Sequence, residues 1–190
     1  MRVGLFALVV LFSVCAFGLR PAGLVVRWNP DDTGVSAPNL HFLSGKQLDR
    51  LHDGATVPFD FQLTLFAQTS NEPLRRLLDR FAISYDLWEE KFSVTRTRAP
   101  RKSVSHLSAA AAETWCVDNM LMPSPELPAG RDLWLRLEVR SVEPRDFTPA
   151  LSDGPISLAT LIEIFSRPSV ARQQQWTLDS AQFRVSDFTR

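Results

Sequence analysis

The chain has 190 residues, 45% hydrophobic and 10% aromatic, so it can bury a real core, and disorder of the whole chain is excluded. Twenty-one basic residues balance twenty-one acidic ones, which makes the chain a poor candidate for bulk nucleic-acid binding, where a basic stripe is needed.

Met1-Arg2 leads into an apolar run from Val3 to Phe17, broken only by Gly4 and Ser13. A cationic start, an apolar stretch of about 7–15 residues and small residues at the cut mark a secretory signal. Ala16-Phe17-Gly18 supplies the small residues before Leu19, and Val14-Cys15-Ala16 offers a second cut. The alternative is a retained N-terminal anchor, because a spanning helix needs about 17–25 apolar residues. Residues 1–18 are therefore expected to export the chain. Cleavage would leave Cys116 as the sole cysteine, with no intramolecular disulfide available. Residues 19–40 form a lead-in punctuated by Pro21, Gly23, Pro30, Gly34 and Pro38. One short strand is expected there, Leu24 to Trp28, with a turn at Asn29-Pro30-Asp31-Asp32. Residues 41–190 should form a single domain.

Within that domain, Ser44 is placed to cap a short helix through Leu48 and Leu51 that stops at Asp53-Gly54. Val57, Phe59, Phe61, Leu63 and Leu65 then alternate with Pro58, Asp60, Gln62 and Thr64. This is the pattern of a strand with one buried and one wet face. Pro58, having no amide hydrogen, belongs at that strand's start or on an unpaired side. A second strand reads from Leu77 to Leu87, with Phe81, Ile83, Tyr85 and Leu87 inward and Arg80, Ser84 and Asp86 outward. Glu89-Glu90 turns it into a third strand with Phe92 and Val94 inward.

A helix is expected from a Ser103 or Ser105 cap to about Leu121, its inward stripe formed by Leu107, Ala110, Ala111, Thr114, Val117 and Leu121. A fourth strand turns Leu133, Leu135, Leu137 and Val139 inward, and Trp134, Arg136, Glu138 and Arg140 outward. A second helix starts near Ser157, with Leu158, Leu161, Ile162 and Phe165 inward. In the tail, Trp176/Leu178 and Phe183/Val185 are out of phase, which requires a bulge or bend near Asp179-Ser180. The expected fold class is α+β, an antiparallel sheet of four to five strands with two helices packed on one face.

The succession of the Asp53-Gly54 helix end, the Val57–Leu65 strand and the Tyr85-Asp86-Leu87-Trp88 to Phe92-Ser93-Val94 hairpin is followed by a helix, the Leu133–Val139 strand and the Trp176-Thr177-Leu178-Asp179-Ser180 tail. This order resembles a family of small exported bacterial proteins catalogued only as a domain of unknown function. The resemblance spans about Leu40 to Val185. It implies an exported α+β module, and the family has no assigned catalytic residues. The location it implies is the bacterial envelope, in the periplasm or anchored to the outer face of the inner membrane.

His41, His52 and His106 share no metal-ligand spacing. There is no Gly-x-Ser-x-Gly elbow and no glycine-rich phosphate loop. No catalytic residue, cofactor or metal is therefore expected. Cys116 falls opposite the inward stripe of its helix, beside Ala109, Ala112 and Met120. That face is either covered by another element or free to dock a partner. Arg96, Arg98, Arg101 and Lys102 form the densest basic cluster, either a solvated strand end or a site for an anionic partner. Outward Trp88 and Trp134 would add an aromatic patch beside it.

The expected function is a non-enzymatic envelope module binding a protein partner or the membrane surface, with no nucleic acid. The alternative is a carrier of an apolar ligand in a cavity between sheet and helices, lined by Phe59, Phe61, Phe81, Phe165 and Phe183. Changing Arg96, Arg98 and Lys102 together to glutamate is expected to leave folding intact.

Overall fold

A computed structural model describes residues 23–68, 72–124, 127–128, 130–142 and 174–188. The export segment, 1–18, and the expected second helix, 157–165, lie outside the described residues.

The lead-in holds two strands rather than one: β1 (Val25–Trp28) and β2 (Asp32–Ser36) form an antiparallel hairpin. Then come α1 (Gly45–His52), β3 (Val57–Ala67), β4 (Pro73–Asp86), β5 (Lys91–Arg96), β6 (Lys102–Leu107) and α2 (Ala109–Asp118). The chain continues with β7 (Met122–Pro123), β8 (Leu133–Ser141) and β9 (Gln175–Asp179). Two antiparallel sheets result, a small one ordered β1-β2-β7 and a six-stranded one ordered β6-β5-β4-β3-β8-β9. The α+β class and the antiparallel pairing are as the sequence indicates; the strand count is larger. Gly34 explains why β2 is hard to see. The glycine marks no turn but a close approach, since a Cβ there would lie 3.1 Å from Leu121 Cδ2.

Helix α1 follows its sequence signals closely. Gly54, at φ +84°, closes it in the left-handed conformation glycine tolerates, and its N–H donates to Leu51 O at 3.0 Å. Ser44 occupies the cap position, but its hydroxyl donates to His41 O and leaves the helix uncapped.

Strand β3 departs from the half-wet expectation, because Val57 to Leu65 are buried without interruption, including Asp60, Gln62 and Thr64. The cause is its central place between β4 and β8. Pairing Asp60 directly with Arg80 lets both charges enter the interior together. Arg80, expected outward, is only 4% exposed. Pro58 sits second in β3, just before the register with β8 begins at Phe59. Leu87, expected inward, is exposed because β4 ends at Asp86.

The expected helix start at Ser103 or Ser105 is also corrected. Residues 102–107 are β6, drawn into the sheet by the free edge of β5. The cap is Ser108, whose Oγ accepts the Ala111 N–H at 3.2 Å. Helix α2 then turns Ala112, Glu113, Cys116, Val117 and Met120 inward, while Ala110, Thr114 and Leu121 are exposed. Its four consecutive alanines carry almost no directional signal, so packing chose the face. That face lies against β5 of the large sheet and β2 of the small one.

Both helices lean on the face of the large sheet that carries Phe59, Phe61 and Phe81. His52 of α1 packs on Tyr85 at 4.6 Å, and Trp115 of α2 meets Phe81 at 5.9 Å. Phe42 stands edge-on to Phe59 (4.8 Å) and to Phe61 (5.4 Å), and Phe61 stands edge-on to Phe81 (5.0 Å). Such pairs add about 0.5–1.5 kcal/mol each to the burial of the rings.

The phase break in the tail is a one-residue bulge. Ser180 N–H donates to Leu135 O at 2.8 Å, whereas Phe183 exchanges both backbone bonds with Leu133 at 2.9 Å. Three steps along the tail thus oppose two along β8, and Trp176, Leu178 and Phe183 all face the core. Among the described residues, no helix is long and apolar enough to cross a membrane.

Candidate interaction surface

The residues singled out from the sequence occupy separate places in the fold. The first is the turn between β4 and β5. The pair Asp86–Lys91 closes it around Leu87, Trp88, Glu89 and Glu90. The Asp86 carboxylate accepts the N–H of Trp88 (2.8 Å) and of Glu89 (3.1 Å). Those two bonds hold its carboxyl below the usual range. Glu90 takes the left-handed φ of +54° that brings the chain back into β5. A turn tied this way is rigid, and it holds Trp88 96% exposed and Leu87 58% exposed.

Three acidic residues of the turn, Asp86, Glu89 and Glu90, flank those two apolar side chains, and exposed Lys91 follows them. Glu89 reaches His106 Nε2 at 2.9 Å. His106 lies at the bulge of β6, where Phe92 pairs Leu107 but Val94 pairs Val104, and its own φ is +63°.

The basic cluster lies at the other end of β5. Six strand residues at roughly 3.3 Å each put about 17 Å between the two ends. The expectation that Trp88 stands beside the arginines is therefore corrected, since they share a strand but not an end. The cluster also divides. Arg96 Nε donates to Asp79 Oδ2, with the arginine side chain 16% exposed and the aspartate fully buried. Burial raises the Asp79 carboxyl, against the opposing pull of Arg96. Arg98 donates to Leu78 O at 3.0 Å. Arg101 and Lys102 extend into solvent with neither an ion pair nor a side-chain hydrogen bond among the described residues. The expectation that glutamates at Arg96, Arg98 and Lys102 would leave folding intact fails on Arg96, because Arg96→Glu sets a carboxylate against buried Asp79.

Trp134 is in a third place, on β8. It is half-buried and stacks on Phe66 at 4.3 Å. Arg136 lies over both rings, 5.0 Å from Trp134 and 5.9 Å from Phe66, and grips Asp179 through two bonds of 2.7 and 2.9 Å. That partner raises the Arg136 pKa.

Cys116 belongs to no surface. It is fully buried under α2, and burial first, then Glu113 and Asp79, pushes its thiol well above the ordinary range. A docking role for it is therefore withdrawn.

Two residues that the sequence gave no reason to single out do structural work. Glu113 reaches from α2 to accept Leu43 N–H at 2.8 Å and to meet His41 Nδ1 at 3.1 Å. Asp60 is held by Arg80, and burial raises its carboxyl despite that partner. The only local mark of Glu113 is a charge beside Ala112, Cys116 and Val117, whereas Asp60 shares its face of β3 with Gln62 and Thr64 and carries no mark at all. Leu87 was missed as a surface residue, although the acidic run Asp86, Glu89 and Glu90 around Trp88 was a usable sign that the turn faces water. Among the described residues, no three His, Cys, Asp or Glu side chains converge as metal ligands would. Compared with family models, with curated proteins and with solved structures, the chain matches none.

Proposed function

We propose that this chain is an exported, non-enzymatic module of the bacterial envelope, of the kind it resembles in sequence, and that it binds a protein partner through the β4–β5 turn. The observation that carries the reading is Trp88, 96% exposed in a turn locked by the Asp86 carboxylate. A tryptophan held in water contributes little to the isolated fold. It can bury about 150–250 Å² on a partner, which makes it the residue type most often found at the energetic centre of interfaces. A rigid turn loses little conformational entropy on docking.

The acidic residues of the turn, Asp86, Glu89 and Glu90, favour a protein over a membrane surface, because anionic head groups repel them. The carrier reading has less support. Phe59 and Phe81 each stand within ring contact of Phe42 or Phe61, the edge-on packing of a core; Phe165 lies outside the described residues.

The test is photo-crosslinking in a bacterial envelope, with a benzophenone side chain at position 87 and Trp88 retained. The expected product is a discrete protein adduct that Trp88→Ala abolishes. A lipid adduct, or a protein adduct indifferent to Trp88→Ala, overturns the reading.

A further inference from the structure

We infer that the partner of the β4–β5 turn is a second copy of this chain, gripped at its opposite end by Arg101 and Lys102; this rests on the turn being a contact element. The two ends of β5 are chemically complementary. One presents Trp88 and Leu87 beside Asp86, Glu89 and Glu90. The other presents exposed Arg98, Ala99, Pro100, Arg101 and Lys102, and the last of these opens the edge strand β6.

The charges available for such a contact are real ones. Glu90 has no ion-pair partner among the described residues, and neither have Arg101 and Lys102. A guanidinium or ammonium also binds the face of a tryptophan ring, and indole is the best of the aromatic partners. Each half of the proposed contact therefore supplies what the other lacks, an aromatic face and carboxylates on one side, cations on the other.

The geometry sets the symmetry. A turn-to-turn dimer would oppose two acidic turns, and a dimer of basic ends would oppose two cationic loops; both arrangements are repulsive. The contact must join unlike ends. Each copy then uses its turn on one neighbour and its basic end on another, so association is head to tail and leads to short chains or a ring.

Analytical ultracentrifugation of the full chain recovered from an expressing envelope tests this. Mass should rise above monomer with concentration and fall back as salt is raised, since exposed ion pairs are screened. Trp88→Ala, and separately Arg101→Glu with Lys102→Glu, should each weaken self-association at least about tenfold, about 1.4 kcal/mol. All three positions are exposed, so both variants should keep the native circular dichroism spectrum.

The decisive step is to mix them. The first variant keeps only the basic end and the second only the turn, so the mixture should form one-to-one dimers and nothing larger. A wild-type chain that stays monomeric at every concentration, or a mixture that gives no dimer, overturns the inference. The crosslink at position 87 separates the two failures. An adduct to a different protein that needs Trp88 defeats self-association and leaves the binding module standing, whereas no protein adduct defeats both.

Discussion

Arg96 and Arg101 stand five positions apart in one basic cluster, yet burial gives them different roles. Arg96 neutralises Asp79 beneath α2, where the carboxylate has no water to turn to. Removing one partner of a buried pair leaves the other uncompensated, which typically costs about 3–5 kcal/mol. Arg96→Ala should therefore lose several kcal/mol in urea denaturation, while Arg101→Ala should stay within about 0.5 kcal/mol of the parent. Equal effects would mean that the Arg96–Asp79 contact carries no weight. The same logic separates the tryptophans. Trp115 is partly buried against Phe81 and Trp134 is stacked on Phe66, so both contribute to folding. Trp88 touches neither core nor stack, and its exposure sets it apart as a contact residue.

At the scale of elements, the two helices show how capping position and capping chemistry can part. Ser44 and Ser108 both precede a helix in extended conformation, but only the Ser108 hydroxyl accepts a helical N–H. Ser108→Ala should lower stability by about 1 kcal/mol, and Ser44→Ala by only a few tenths, in the same denaturation experiment. A large loss at Ser44 with none at Ser108 would contradict the observed bonding. Strand β6 makes a related point. Lys102–Leu107 carries alternating polar residues that suit a strand or a helix N-terminus equally well. The free hydrogen bonds of β5 decided in favour of the strand. Its lysine at one end and its bulge at the other protect a sheet edge from further pairing.

For the molecule as a whole, the buried ion pairs on β3, β4 and β5 give acid stability an unusual sign. Desolvation raises the carboxyls of Asp60 and Asp79 above the ordinary 3.8. A group raised in the folded state contributes stability that is fully present below 3.8 and is lost as pH rises through its folded value. Asp86 and Asp132 are lowered, the first by backbone bonds and the second by Arg184, and their contribution is lost as pH falls below 3.8. Mild acidification toward 3.8 should thus stabilise the parent relative to Asp79→Asn. Denaturation midpoints of the two proteins at neutral pH and near pH 4 provide the check. A stability difference that moves the other way would show that Arg96 outweighs burial.

Much of the architecture is written in short-range pattern. The period-two alternations of Val57–Leu65 and Leu133–Val139, the Asp53-Gly54 stop and the broken phase at Ser180 all depend on neighbours a few positions apart. Each element is found where the sequence places it, although the second face of Val57–Leu65 is buried rather than wet. What tertiary structure alone decided depends on residues far apart in the chain. Arg96 is drawn inward by Asp79, seventeen positions earlier. Cys116 is buried because an alanine-rich helix with no strong stripe was caught between two sheets. Trp88 and Arg101 come to opposite ends of one strand because β4 and β5 pair in register from Asp86–Lys91 to Phe81–Arg96. Local pattern settles where the central strands and the first helix form, whereas pairing with β5 settles β6. Strand pairing and desolvation settle which charges are buried and which side chains remain for a partner, and those depend on distances that sequence order does not contain.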